Sequence, residues 1–228
     1  MKNLLHFLIS LLLVILYSGC NKEENAAVTP ITPYGWDFFP VDSGISRYYT
    51  VDSVYWDEFT GVNDTVSYQL KEVIAGTFTD NQGRPAQRIE RFKLDSTGNW
   101  VIYKVWSAVK TQTRAEVVED NIRYIKLSFP CSTGVSWNGN AYNTIGTMPY
   151  EYTFIGAATL NGISFNESAS VLQDDAPFNL LEDAYTVEKY AINVGLYFKK
   201  QLSLEFNPAT QDTVSGYIYT EQLTSITP

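Results

Sequence analysis

The sequence predicts an all-β domain: an antiparallel meander that forms a curved sheet or an open or closed barrel. Three observations predict it. Alternating runs recur at roughly the 8–12-residue spacing of sandwiches and barrels. Gly, Asn and Asp, the residues that tolerate turn geometry, sit between the runs. No stretch alternates strand with helix, as a parallel α/β sheet requires. Strands that follow one another through hairpins favour a sheet that curls on itself; a two-sheet sandwich is the alternative.

Taken in order, residues 46–56 place Arg47, Tyr49, Val51, Ser53 and Tyr55 on one face and Tyr48, Thr50, Asp52, Val54 and Trp56 on the other. Both faces are mixed, which suits a strand wet on one side or lying at an edge. Residues 64–75 keep Val66, Tyr68, Leu70, Glu72 and Ile74 in register. Residues 87–94, 100–109 and 122–129 alternate in the same way, and Ile125, Leu127 and Phe129 mark an inward face. Residues 130–148 read as one long polar loop. Asn161-Gly162, between apolar flanks, is a strong type I′ hairpin signal. Residues 180–191 fit a short helix and a strand equally, and periodicity alone does not separate the two. Residues 196–206 carry Leu196, Phe198, Leu202, Leu204 and Phe206 on one face and Tyr197, Lys199, Gln201, Ser203 and Glu205 on the other. Residues 213–223 close the domain. About nine or ten strands result.

The chain has 228 residues and a net charge of −9, which becomes −10 once Lys2 is removed with residues 1–19. Without a basic cluster, such a chain is not expected to bind nucleic acid or anionic headgroups. Its single histidine, His6, lies in the first twenty residues. The domain itself therefore has no Ser-His-Asp or Cys-His triad and no histidine-ligated zinc.

Those first residues give an address. Lys2 precedes the apolar stretch 4–16, which would rise only ~20 Å as a helix against a bilayer core of ~30 Å. It reads as a secretory signal, not a membrane span. Ser18-Gly19-Cys20 follows and resembles the bacterial lipobox, with Tyr17 where that pattern has Leu, Val or Ile. The resemblance implies cleavage after residue 19 and acylation of Cys20, palmitate included. Lys22-Glu23-Glu24 resembles the acidic export signal of Bacteroidota surface lipoproteins and implies the outer membrane, cell-surface exposed, with a periplasm-facing orientation as the alternative. The expected organisation is signal peptide 1–19, tether 20–33 and one β-domain 34–228. With Cys20 acylated, Cys131 is left without a disulfide partner and is expected to be buried and inert.

Residues 38–44, Phe-Phe-Pro-Val-Asp-Ser-Gly, and 188–200, which contain Tyr190-Ala191 and Val194-Gly195-Leu196, are similar to segments of a group of uncharacterised Bacteroidota outer-membrane and surface lipoproteins. That resemblance implies a curved antiparallel sheet and no particular activity. The lipocalin opening Gly-x-Trp is not matched, because Gly35 and Trp36 are adjacent. The open half-barrels that carry lipoprotein acyl chains fit by architecture alone.

Aromatic residues are abundant, with sixteen Tyr, twelve Phe and five Trp. Trp137 stands in a polar loop beside Asn138 and Asn140, the arrangement with which a module stacks on a sugar and bonds its hydroxyls; Trp36 is a second candidate. The plainer reading of both is a ring plugging the barrel. The acid pairs Asp57-Glu58, Glu119-Asp120 and Asp174-Asp175 cannot preassemble a glycosidase site, because neighbours on a strand point to opposite faces. They read as solvated turn acids. The expected function is thus a membrane-anchored, non-enzymatic envelope lipoprotein that binds a glycan, a lipid or a protein partner, with no metal and no cofactor. A carboxylate-dependent glycoside hydrolase and a structural subunit docking on an outer-membrane complex are the alternatives.

Overall fold

The computed structural model describes residues 34–176 and 178–227. The signal peptide, Cys20 and the tether lie outside the described residues. Alternation becomes strand almost everywhere else. The strands are β1 (Ser46–Asp57), β2 (Val62–Thr79), β3 (Pro85–Leu94), β4 (Trp100–Lys110), β5 (Arg114–Glu119) and β6 (Ile122–Ser128), followed by β7 (Ser136–Asn138), β8 (Pro149–Leu160), β9 (Ile163–Ala176), β10 (Glu182–Ala191), β11 (Gly195–Phe206) and β12 (Thr213–Thr227). They form one twelve-stranded antiparallel sheet, a nearly closed barrel in which consecutive strands are neighbours and β12 returns to pair with β1. The sandwich alternative is thereby excluded. β1 is an interior strand of the sheet, flanked by β2 and β12.

The ladder is interrupted between β6 and β7. There the Ile125 amide donates to the Gly139 carbonyl at 2.8 Å, and the Trp137 indole N–H donates to the Ile125 carbonyl at 2.9 Å. Two strands exceed the sequence expectation. β5 shows no apolar alternation because Glu116 and Val117, its successive residues, are both buried. β7, three residues long, lies inside the expected loop. Asn161 and Gly162 have φ of 49° and 83°, the double positive φ of a type I′ turn. Residues 182–191 are strand, because β9 and β11 pair with them on both sides; ladder formation decides what periodicity left open.

The connections alternate between two ends. At one end the chain enters through a 3₁₀ turn, Trp36–Phe38, that together with the following residues 39–41 serves as a plug. Phe38 is fully buried against Leu127, Tyr150, Tyr152 and Tyr190. Backbone groups pin the plug: the Asn193 amide donates to Asp37 O at 2.9 Å and the Cys131 amide to Tyr34 O at 3.1 Å. Gly35 makes this entry possible. Its φ is +74°, and a Cβ there would stand 2.6 Å from Cys131 Sγ, so side chains are excluded by conformation and by space. Cys131 itself is half-buried, and burial pushes its thiol up to about 11, as expected of an inert cysteine.

Candidate functional site

The inward face of this barrel carries the charges. In the first half of β11 Tyr197 and Lys199 are buried while Phe198 and Leu202 are only half-buried; Leu196, beside a register shift, packs on the interior core, and further along Leu204 is buried while Ser203 and Glu205 are exposed. Lys126 of β6 is buried beside Leu127, where the β5–β6 register shifts; the inward face of that strand is therefore not the purely apolar Ile125, Leu127 and Phe129.

Two ion networks result. In the first, Arg47, Glu72 and Arg91 are direct cross-strand partners on β1, β2 and β3. Arg47 Nη1 reaches Glu72 Oε1 at 3.1 Å, and Arg91 Nε lies 3.4 Å from Glu72 Oε2. Arg91 Nη2 donates to Glu221 of β12, whose other oxygen accepts from the Tyr219 hydroxyl at 2.6 Å. The Arg91 guanidinium also lies over the Trp106 ring, 4.2 Å from its centre. Arg47 extends to the plug, donating to the Pro40 carbonyl at 3.2 Å.

In the second network, Lys126 Nζ sits between Glu119 at 2.7 Å and Glu188 at 2.9 Å. Lys199 Nζ lies 3.1 Å from Glu188 and 3.7 Å from Glu119. Glu188 also accepts from Gln173 at 2.7 Å and from the Tyr190 hydroxyl at 2.5 Å. Lys199 stands between Glu188 and Glu221 in cross-strand register, which joins the two networks. Each network pairs two cations with two carboxylates, so the interior is neutral. Glu119 belongs to this interior; it is not the solvated turn acid that its place beside Asp120 suggests.

The electrostatics follow from the pairing. Burial alone would raise the Glu188 and Glu119 carboxyls, yet the Lys126 and Lys199 ammonium groups outweigh it and hold both below the usual carboxylate range. Burial would likewise lower Lys126 and Lys199, but the facing carboxylates raise them. Burial pushes the Tyr190, Tyr150 and Tyr219 phenols up. A general acid needs a carboxyl that retains its proton near neutrality; Glu119 and Glu188 are held ionised.

Between the networks lies a cavity of about 240 Å³. Phe39, Pro40 and Val41 of the plug lie at its closed end, and Tyr68, Tyr103, Trp106 and Tyr219 contribute aromatic wall toward the other. A second space, also about 240 Å³, shares Glu119, Lys126, Lys199 and Gln201 with the first. Lys93 Nζ lies over two rings of the wall, 3.8 Å from the centre of Tyr68 and 3.9 Å from that of Tyr103.

The residues singled out from sequence lie elsewhere. Trp137 is at the β6–β7 seam, packed on Tyr152 with ring centres 4.7 Å apart. Asn138 Oδ1 accepts from the Asn140 and Met148 amides at 3.0 and 3.1 Å. Asn140 is buried and accepts from Asn143 at 3.0 Å, and it borders the second space. Trp36 stacks on Tyr34 and donates to the Gln112 carbonyl at 3.1 Å. The interior charges were not singled out, although one signal was present: Arg47, Glu72 and Lys199 each occupy the same face as buried aromatic or aliphatic neighbours.

The fold and site define a class, a nearly closed up-and-down barrel with a plugged end and a polar interior. Solved structures similar to the chain include the following two. One is described as a lipoprotein from Parabacteroides distasonis, with 10% identity, a TM-score of 0.41, and coverage of 82% of this chain and 98% of that one. The other is described as an exported protein with a YmcC-like fold from Bacteroides fragilis, with 12% identity, a TM-score of 0.44, and coverage of 84% and 99%. No protein-family profile and no curated protein sequence matches the chain.

Proposed function

We propose that this chain is a lipid-anchored, non-enzymatic protein of the bacterial outer membrane whose barrel interior receives a hydrophilic ligand of the glycan class. The observation that carries the reading is the cavity wall, made of paired charges and aromatic rings. An acyl chain entering there would displace the cavity's water from beside buried, paired charges and return no hydrogen bond, a large cost. A ligand rich in hydroxyls replaces that water bond for bond, and the rings supply apolar faces for a sugar to stack on. Ionised, lysine-bound carboxylates support binding over hydrolysis. Lys71, Lys189 and Lys200 stand on the outer wall within strands. At the midplane of a bilayer each would cost about 2–4 kcal/mol, which supports a water-facing barrel held to the membrane through Cys20. The reading places the protein at the cell surface.

The full chain, purified in detergent and screened against immobilised glycans, is expected to show binding that Gln201→Trp abolishes while the melting temperature is kept. Gln201 borders both interior spaces, so the larger ring intrudes where they meet. Binding unchanged in that variant, or hydrolysis of a bound polysaccharide by the wild type, would refute the reading. Cys20→Ala is expected to abolish fatty-acid labelling and to release the protein from membranes; retention of both in the variant would rule out the anchor.

A further inference from the structure

We infer that the interior site takes the end of an uncharged glycan chain, about one sugar ring deep, and turns away anionic chains. This rests on the glycan reading above and narrows it. Three observations carry it.

The barrel is blind. The plug residues Phe39, Pro40 and Val41 floor the cavity, and Arg47 ties that floor to the wall by donating to the carbonyls of Pro40 and Val194. A polysaccharide cannot thread through, so only a terminus enters. The space is also small. Its 240 Å³ is below the ~300–1,000 Å³ of pockets for drug-sized ligands.

The interior charges cancel. Glu72 and Glu221 are already paired with Arg47 and Arg91, so a carboxylate brought there would find its cations taken and would add a third negative charge, whereas a neutral hydroxyl needs no counter-charge.

The open end is acidic. Asp57 and Glu58 lie at the β1–β2 turn, and Asp174, Asp175, Glu182 and Asp183 flank the β9–β10 connection. Glu205 and Asp212 flank the β11–β12 turn. At this end Lys104 is paired with Asp120 and Lys93 lies over Tyr68 and Tyr103. The balance of charge at the mouth is negative, which repels anions within a Debye length of about 8–10 Å.

The test is an array of neutral, amino, uronic-acid and sulfated glycans, with each neutral chain also present extended by one residue at its free end. It is probed with the full chain in detergent, with Gln201→Trp, and with the quadruple variant Asp174→Asn, Asp175→Asn, Glu182→Gln and Asp183→Asn. Bound glycans are expected to share a terminal residue, to lose binding when that end is extended, and to include no uronic-acid or sulfated chain. The rim variant, its melting temperature checked, is expected to raise binding of anionic chains on the order of tenfold at low salt. Hits whose common element is internal, hits that are mainly anionic, or a rim variant without effect on anionic chains would overturn this inference and leave the interior site standing. Hits that Gln201→Trp does not weaken, or no hits at all, would overturn the glycan reading together with it.

Discussion

Glu188→Ala is expected to lower the unfolding free energy by about 3–5 kcal/mol, and the melting temperature by roughly 6–20 °C for a domain of this size. Glu188 is 1% exposed, and four side chains converge on it: Lys126, Lys199, Gln173 and Tyr190. Alanine leaves two ammonium groups, 4% and 8% exposed, with Glu119 as the carboxylate they still share. The cost is therefore that of a stranded buried cation, not of one lost hydrogen bond. The double variant Glu188→Met, Lys126→Met removes one charge of each sign and leaves Lys199 with Glu119. It should be more stable than Glu188→Ala, because replacing a buried ion pair with apolar groups is often neutral. Urea unfolding of the wild type, Glu188→Ala, the singles Glu188→Met and Lys126→Met, and the double variant measures this. A Glu188→Ala loss below about 1 kcal/mol, or an additive double variant, would mean that the interior pairing is not as described.

This network also marks how far sequence reading reaches. Hairpin chemistry was legible because it is local: Asn161-Gly162 needs positive φ at two successive residues, and few other dipeptides allow it. The meander followed from spacing. The orientation of the faces was not legible. Along β11, Phe198 and Leu202 look like part of a core stripe, yet Lys199 between them turns inward, because Glu188 and Glu221 arrive from the neighbouring strands to neutralise it. Those partners are 11 and 22 residues away, and the Arg91–Glu221 contact spans 130 residues; only strand register brings them together. Glu119 was misread for the same reason, since its lysines lie on β6 and β11. β5 was missed because Glu116, between Ala115 and Val117, is covered on the other side of the sheet by Arg84, Arg114 and Arg123, and its burial breaks the apolar rhythm.

That three-arginine cover sets the second prediction, an acid-sensitive fold whose acid limb flattens in Glu116→Gln. Burial acts to raise the Glu116 carboxyl, but hydrogen bonds from Arg84, Arg114 and Arg123 overcome it and lower the group to about 2; Glu119 and Glu188 are lowered as well. A carboxylate whose folded value lies below its unfolded value of about 4.3 stabilises the fold at any pH above that unfolded value. The contribution is lost as pH falls from there through the folded value, because the unfolded chain takes up the proton first. For Glu116 the displacement corresponds to about 3 kcal/mol. Lys126 and Lys199 are raised, so their contribution is complete below the unfolded lysine value of about 10.4 and is lost only above it. Glu167 has the opposite sign: burial raises its carboxyl, so it costs stability above that raised value, and the cost fades as pH falls toward the unfolded value of about 4.3, before the others begin to lose theirs. Stability should therefore be level between about pH 5.5 and 9 and fall steeply from about pH 4.5 to 2. Glu116→Gln should be less stable at pH 7, with its difference from the wild type shrinking as pH approaches 2, since the wild type loses there what the variant never had. Urea midpoints at pH 7, 4, 3 and 2.5 measure the two curves, and parallel acid limbs would show that Glu116 is not held ionised by its arginines.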